Sequence, residues 1–74
     1  MQKWEYLRLD VRYKAERGSG IESVFSDYVE VLSNINYIAF HNHINKLGSE
    51  GWEMMSEREV DDQHNVYYFK RPLE

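Results

Sequence analysis

Seven side chains in this 74-residue chain combine positive charge with aromatic rings, a pairing that could bind a small anion. A guanidinium can donate two hydrogen bonds to a phosphate, and an aromatic ring can stack on a nucleobase. If the first and last strands pair in a sheet, several of these side chains come together on one surface. A plain sheet surface with cross-strand charged and aromatic pairs explains the same pattern more simply. The seven candidates are Trp4, Tyr6, Arg8, Arg12, Tyr68, Lys70 and Arg71.

Metal and catalytic chemistry have weaker candidates. His41 and His43 would point to different faces of a helix and could not chelate one ion, although on a strand they would share a face. Glu50 and Glu53 flank a glycine corner and could pair as in a glycosidase, but acidic residues on a turn are usually solvated. No serine lies in a G-x-S-x-G turn, and no Walker or dinucleotide-binding motif occurs. We therefore predict a protein that is not an enzyme and has no metal and no cofactor.

The composition excludes several classes of protein. Nine Lys and Arg against thirteen Asp and Glu give a net charge of −4, which argues against a nucleic-acid polymer as the partner. No apolar run approaches the ~20 residues of a membrane-spanning helix, and no signal-peptide pattern occurs. The lack of cysteine favours a cytoplasmic location.

The length predicts one domain over residues 1–74. Two Trp, six Tyr and three Phe exceed what one small core encloses, so some should lie at an interface or in a ligand groove.

The segment from Lys3 to Tyr13 has the alternation of a strand with two different faces. Apolar side chains recur at every second position, and Arg8 and Arg12 lie on the opposite face. Trp4 and Tyr6 break this alternation, because they stand on the charged face. We therefore expect another element or another subunit to cover them.

Two interpretations fit the residues that follow. The stretch Gly18-Ser19-Gly20 signals a turn after the first strand. Beyond it, apolar residues recur at helical spacing, whereas the many valine and aromatic residues favour a strand. Ser23, Ser26 and Asp27 are also mediocre helix formers. We interpret Ser23 to Leu32 as a second strand that forms a hairpin with the first.

The next segment has the pattern of an amphipathic helix. Asn34 or Asn36 can cap its N-terminus by accepting a hydrogen bond from the first turn. Gly48 stands where a left-handed residue would end the helix, and Gly51 allows the chain to turn before Trp52. The apolar residues at helical spacing are Tyr37, Phe40, Ile44 and Leu47.

Two strands should complete the fold, one from Trp52 to Val60 and one from Val66 to Arg71. A polar turn, Asp61 to Asn65, separates them, and Pro72 should end the last strand because proline has no N–H for the ladder. The sequence thus predicts an α+β fold of order ββαββ, a small antiparallel β-sheet with one helix packed on a face.

Three motifs in the chain form a family pattern when they are taken together. They are Trp4-Glu5-Tyr6, Leu47-Gly48-Ser49-Glu50-Gly51-Trp52-Glu53 and Phe69-Lys70-Arg71-Pro72. This set resembles the short bacterial and phage domains called domain of unknown function 4177. Ile44 and Met54 stand where that family usually has leucine, and the stretch from Lys14 to Asn36 has no match. The resemblance implies a small sheet with one helix, and it implies no activity.

Three functional hypotheses follow from these residues. The leading one is a small non-catalytic interaction module, phage-encoded if the resemblance holds, that self-associates through Trp4 and Tyr6. The second is a sequestering protein that holds a small anionic ligand, such as a signalling nucleotide, between subunits. The third and least favoured is a small hydrolase that uses Glu50 or Glu53.

Overall fold

The computed structural model describes residues 1–15 and 20–73 and shows five strands and one helix. All strand pairs are antiparallel, and the sheet order is β3-β2-β1-β5-β4. Most of the predicted turn at Gly18-Ser19-Gly20 lies outside the described residues. Among the described residues, no helix is long and apolar enough to cross a membrane. The elements are β1 Lys3–Tyr13, β2 Ile21–Ser26, β3 Val29–Ile35, α1 Tyr37–Ser49, β4 Glu53–Asp61 and β5 His64–Leu73.

Strand β1 lies at the centre of the sheet, between β2 and β5. Its predicted bounds and its pairing with the following strand are confirmed. It also pairs with the last strand, which was the condition for the candidate residues to come together. Leu9, for example, lies opposite Ser26 on one side and Tyr67 on the other. The chain ends therefore meet in the middle of the sheet, as the clustering of the candidate residues requires.

The predicted order ββαββ is wrong, because residues 23–32 form parts of two strands and the order is βββαββ. Ser26 pairs with Val29, and the two residues between them, Asp27 and Tyr28, have φ angles of 49° and 72°. Two-residue hairpin turns need positive φ, for which Asn-Gly is the usual sequence signal. Here a contact with β1 stabilises the turn instead. The Asp27 carboxylate accepts a hydrogen bond from the Arg8 N–H at 3.0 Å, and the Asp27 N–H donates to the Arg8 carbonyl at 2.8 Å.

The helix begins after Asn36, whose side chain accepts a hydrogen bond from the Ala39 N–H at 2.7 Å. Of the two predicted caps, Asn36 is therefore the one used. Asn34 lies in β3 with a φ of 52°. Asparagine tolerates this left-handed conformation better than most residues do.

The helix ends later than the glycine pattern predicts. Gly48 lies inside α1, and the residue with positive φ is Gly51, at 95°. The Gly51 N–H donates to the Gly48 carbonyl, and the Trp52 N–H donates to the Leu47 carbonyl, each at 3.0 Å. These bonds satisfy carbonyl groups of the last turn. The prediction for Gly48 is therefore wrong, and the tight turn at Gly51 is confirmed.

Helix α1 packs on one face of the sheet, which we call the helix face. The apolar residues of β1, β2 and β5 on this face are almost fully buried, and each such side chain contributes roughly 1.5–3 kcal/mol by burial. Trp52 is half-buried and packs against this cluster. The helix contributes Phe40, Ile44 and Leu47, and the sheet contributes Leu7, Leu9, Val11, Tyr13, Ile21, Val24, Tyr67 and Phe69.

The core also contains a small polar cluster. The hydroxyls of Tyr13 and Tyr67 lie 3.4 Å apart, and the Asn65 amide donates to the Tyr13 hydroxyl at 3.4 Å. Burial, followed by the hydrogen bond with Tyr13, raises the pKa of Tyr67. Tyr67 is therefore a neutral phenol over a wider pH range than a solvated tyrosine.

Proline does not end the last strand, contrary to the prediction, since β5 continues through Pro72 to Leu73. Pro72 lies opposite Trp4, whereas β4 pairs with β5 only as far as Lys70. Beyond Lys70, the other side of β5 is therefore a free edge. A proline is tolerated there because no neighbouring strand needs its N–H.

Candidate functional site

The sheet face opposite α1 has no covering element in the part of the chain that the structure describes, and we call it the open face. Side chains alternate between the two faces of a strand, and directly paired residues share a face. Six of the seven candidate residues lie on the open face, and Arg71 does not. The open face carries Trp4, Tyr6, Arg8, Asp10 and Arg12 of β1, Ser23 and Phe25 of β2, Glu53, Ser56, Arg58 and Asp61 of β4, and His64, Val66, Tyr68 and Lys70 of β5.

Arg8 lies at the centre of the open face and is held by groups of its own chain. Its Nε donates to Asp10 at 3.1 Å, and its Nη1 donates to the Tyr28 hydroxyl at 2.9 Å. The guanidinium carbon lies 5.0 Å from the Tyr28 ring centre and 5.9 Å from that of Tyr68. The hydrogen bond with Asp10 raises the pKa of Arg8. Arg8 therefore positions Tyr28 and neutralises Asp10, and only part of its donor capacity is left for a ligand.

Asp10 and His64 join Arg8 in a network that the sequence analysis missed. The Asp10 side chain is only 9% exposed, and it accepts from Arg8 and lies 3.3 Å from the His64 Nε2. A buried carboxylate needs such partners. The sequence signal was the single acidic residue between Arg8 and Arg12 on the charged face of β1. His64 had no local signal, because only the pairing of β1 with β5 brings it opposite Arg12.

A hollow of about 210 Å³ lies beside this network, lined by Asp10, Arg12, Phe25 and Tyr28. Arg12 is exposed and has no ion pair with any residue that the structure describes. Tyr28 is 70% exposed and forms a wall of the hollow. The hollow combines an aromatic lining with a free guanidinium, which is suitable chemistry for a planar anion.

The opposite end of the open face is aromatic. Trp4 is 37% exposed and Tyr6 is 61% exposed. The Lys70 ammonium lies 4.3 Å from the centre of the Trp4 ring, close enough for a cation–π interaction. The predicted grouping of Trp4, Tyr6 and Lys70 is therefore present in the structure, and Tyr6 is its most exposed ring.

Arg71 lies on the helix face, apart from the other candidates. Its Nε donates to Glu5, its Nη1 donates to the Glu50 carbonyl at 2.9 Å, and its guanidinium lies 4.3 Å from the Trp52 ring centre. These contacts attach the end of α1 to the sheet. Glu50 lies beside Arg71, whereas Glu53 is on the open face, so the two candidate catalytic carboxylates are not brought together.

The two candidate metal-binding histidines lie on α1, as expected. Burial, with a smaller effect from Lys46, lowers the pKa of His43. His41 is exposed. Within residues 1–15 and 20–73, no group of three His, Asp or Glu side chains is arranged to hold a metal ion.

The chain was compared with known proteins in three ways. No family model, no curated protein and no solved structure matches it. The resemblance to domain of unknown function 4177 therefore stays a prediction.

Proposed function

We propose that this protein is a small non-catalytic binding module that self-associates through the open face. The observation that supports this proposal is the exposure of Trp4, Tyr6 and Tyr28 on a sheet face that no described element covers. Large exposed aromatic patches on small proteins usually mark contact sites.

The size of the domain also favours self-association. A domain of this length buries only about 60% of its unfolded surface, so a single core gives marginal stability. Each aromatic side chain that becomes buried removes roughly 150–250 Å² from water. Tyr6 and Tyr28 are 61% and 70% exposed, whereas Trp4 and Tyr68 are already largely covered, so these four side chains would supply only part of the ~800 Å² per partner that a standard interface buries.

The direct test is the subunit count as a function of protein concentration, by light scattering and native mass spectrometry. Trp4→Ala should weaken the assembly. Ile38→Ala is the matched control, because Ile38 is an exposed apolar residue, 71% accessible, on α1 instead of the open face. A wild-type monomer at high concentration, or equal assembly by Trp4→Ala and wild type, would refute the proposal.

A second candidate function is sequestration of a small anionic ligand, such as a nucleotide, between subunits. The hollow at Arg12 favours it, because this exposed guanidinium has no carboxylate partner among the described residues and faces aromatic side chains. Native mass spectrometry of protein purified gently from its host would reveal a bound molecule as added mass. Arg12→Gln should lose that mass, whereas a wild-type spectrum without added mass counts against this function.

A further inference from the structure

The charges on the open face form a pattern that the fold of one chain does not use. Glu53 and Arg58 both lie on this face of β4, and neither forms an ion pair with a described residue. Their strand partners, Lys70 and Val66, are four residues apart on β5, which corresponds to roughly 13 Å along the strand. Glu53 and Arg58 are therefore too far apart to pair with each other within one chain.

The strand register arranges the open face in rows that run across the strands. Each row consists of open-face residues that are directly paired on neighbouring strands. The central row contains Arg8, and two further rows lie on each side of it along β1. In order along β1, the rows are Trp4 with Pro72; Tyr6 with Lys70 and Glu53; Arg8 with Tyr68 and Ser56; Asp10 with Phe25, Val66 and Arg58; and Arg12 with Ser23, His64 and Asp61.

Glu53 and Arg58 lie one row on either side of the central row, and Trp4 and Arg12 lie two rows on either side. A two-fold axis that runs along the central row exchanges these positions. Two copies stacked about this axis would place Glu53 against the partner's Arg58, and this contact occurs twice. The same operation places Trp4 against the partner's Arg12, where a cation–π contact can form.

We infer that the open face packs on the same face of a second copy, with the two β1 strands antiparallel and the axis along the Arg8 row. This arrangement is isologous, so each complementary contact is made twice. The inference rests on the self-association proposed above and specifies its geometry. Arg8 faces its own copy at the axis, where Asp10 already compensates its charge and Tyr28 flanks it.

The alternative symmetric stacking has its axis parallel to β1 and superimposes each row on itself. Its rows also contain opposite charges, because Lys70 lies beside Glu53 and His64 lies beside Asp61. It keeps Glu53 and the partner's Arg58 two rows apart, however, so contact between these two residues is specific to the antiparallel arrangement.

A charge-swap series tests the pairing. Glu53→Arg and Arg58→Glu should each raise the dimer dissociation constant about tenfold or more, because each creates two like-charge contacts. The double variant Glu53→Arg/Arg58→Glu should return it to near the wild-type value. Asp62→Arg is the matched control, because Asp62 is exposed in the β4–β5 turn and the same charge change there should leave the constant unchanged. A double variant that dimerises more weakly than either single variant would overturn the inference.

A cross-linking experiment tests the axis independently, since the chain has no cysteine of its own. Ser56 lies in the central row, so Ser56→Cys should cross-link to the partner's Ser56→Cys position through a short bismaleimide. Ser33→Cys, at an exposed position on the edge strand β3, should not cross-link. No cross-link from Ser56→Cys in a protein that still dimerises overturns the antiparallel geometry and leaves self-association standing. A wild-type monomer would instead refute both proposals.

Discussion

Replacing Gly48 by alanine distinguishes the observed helix end from the one that the glycine pattern suggests. Gly48 lies inside α1, and an added Cβ would meet nothing within 4 Å. Glycine in a helix is less stable than alanine by about 0.5–1 kcal/mol, because it loses more backbone entropy on folding. We therefore expect Gly48→Ala to raise the free energy of unfolding by about 0.5–1 kcal/mol. For a domain of this size that corresponds to a rise in Tm of about 2–8 °C.

Gly51→Ala is the matched control and should have the opposite sign. Gly51 has a φ of 95°, and the nearest atom to an added Cβ is the flexible Arg71 Cδ at 3.9 Å. Space is therefore sufficient, and the cost is the left-handed backbone, about 1–2 kcal/mol for a residue with a Cβ. Gly20→Ala should be worse than Gly51→Ala, because its φ is 118° and its Cβ would lie 2.9 Å from the Ile35 carbonyl oxygen.

The assay is urea unfolding followed by circular dichroism, with thermal melts as a second measure. All variants should be compared at one protein concentration, because self-association couples stability to concentration. The expected order of stability is Gly48→Ala, wild type, Gly51→Ala and Gly20→Ala, from highest to lowest. If Gly48→Ala is destabilised as much as Gly51→Ala, then Gly48 is left-handed in solution and the helix ends where the glycine pattern indicated.

Three further perturbations test the local interactions. Asn36→Ala should lower the free energy of unfolding by about 1 kcal/mol, because the Ala39 N–H loses its acceptor, and Asn36→Ser should retain most of it in urea titrations. The fold lowers the pKa of His43 from its ordinary value of 6.5, so in acid the unfolded chain binds more protons than the folded chain. The free energy of unfolding should therefore decrease as the pH is lowered from about 6.5. His43→Gln should flatten that fall in unfolding curves between pH 7 and 5, whereas equal flattening by the exposed-site control His41→Gln would contradict the assignment. The raised pKa of Tyr67 gives stability that is present below its ordinary value of 10.0 and is lost as the pH rises above it, so Tyr67→Phe should reduce the alkaline loss.

The elements that the sequence predicted well are those with a strong local pattern. Strand β1 alternates apolar and charged residues from Leu7 to Tyr13, so its two faces followed from that alternation. The helix followed from apolar spacing and a capping asparagine. Residues 23–32 were misread because the turn at Asp27 and Tyr28 has no glycine, and its positive φ angles are stabilised by contacts with Arg8 that lie far away in sequence.

The sequence predicted which residues belong to the candidate site, but it did not predict the contacts that each residue makes. The pairing of β1 with β5 brought six of the seven candidates to one face, as the residue types suggested. Arg71 failed to join them because strand alternation turns it toward Glu5 and the helix corner. Arg8 lies on the expected face, but contacts with its neighbours hold it in place. The hollow beside Arg12 depends on Phe25 and Tyr28, which belong to the hairpin that the sequence did not predict.

The sequence by itself determined the elements whose pattern repeats locally, the charge balance and the surplus of aromatic residues over what one core can enclose. Those properties depend on residue types and on neighbours within a few positions. The tertiary structure decided the order βββαββ, the partners of each charge and the face that remains open. These depend on strand register, and register aligns residues such as Asp10 and His64 that are separated by most of the chain. Only the folded sheet brings them within hydrogen-bonding distance.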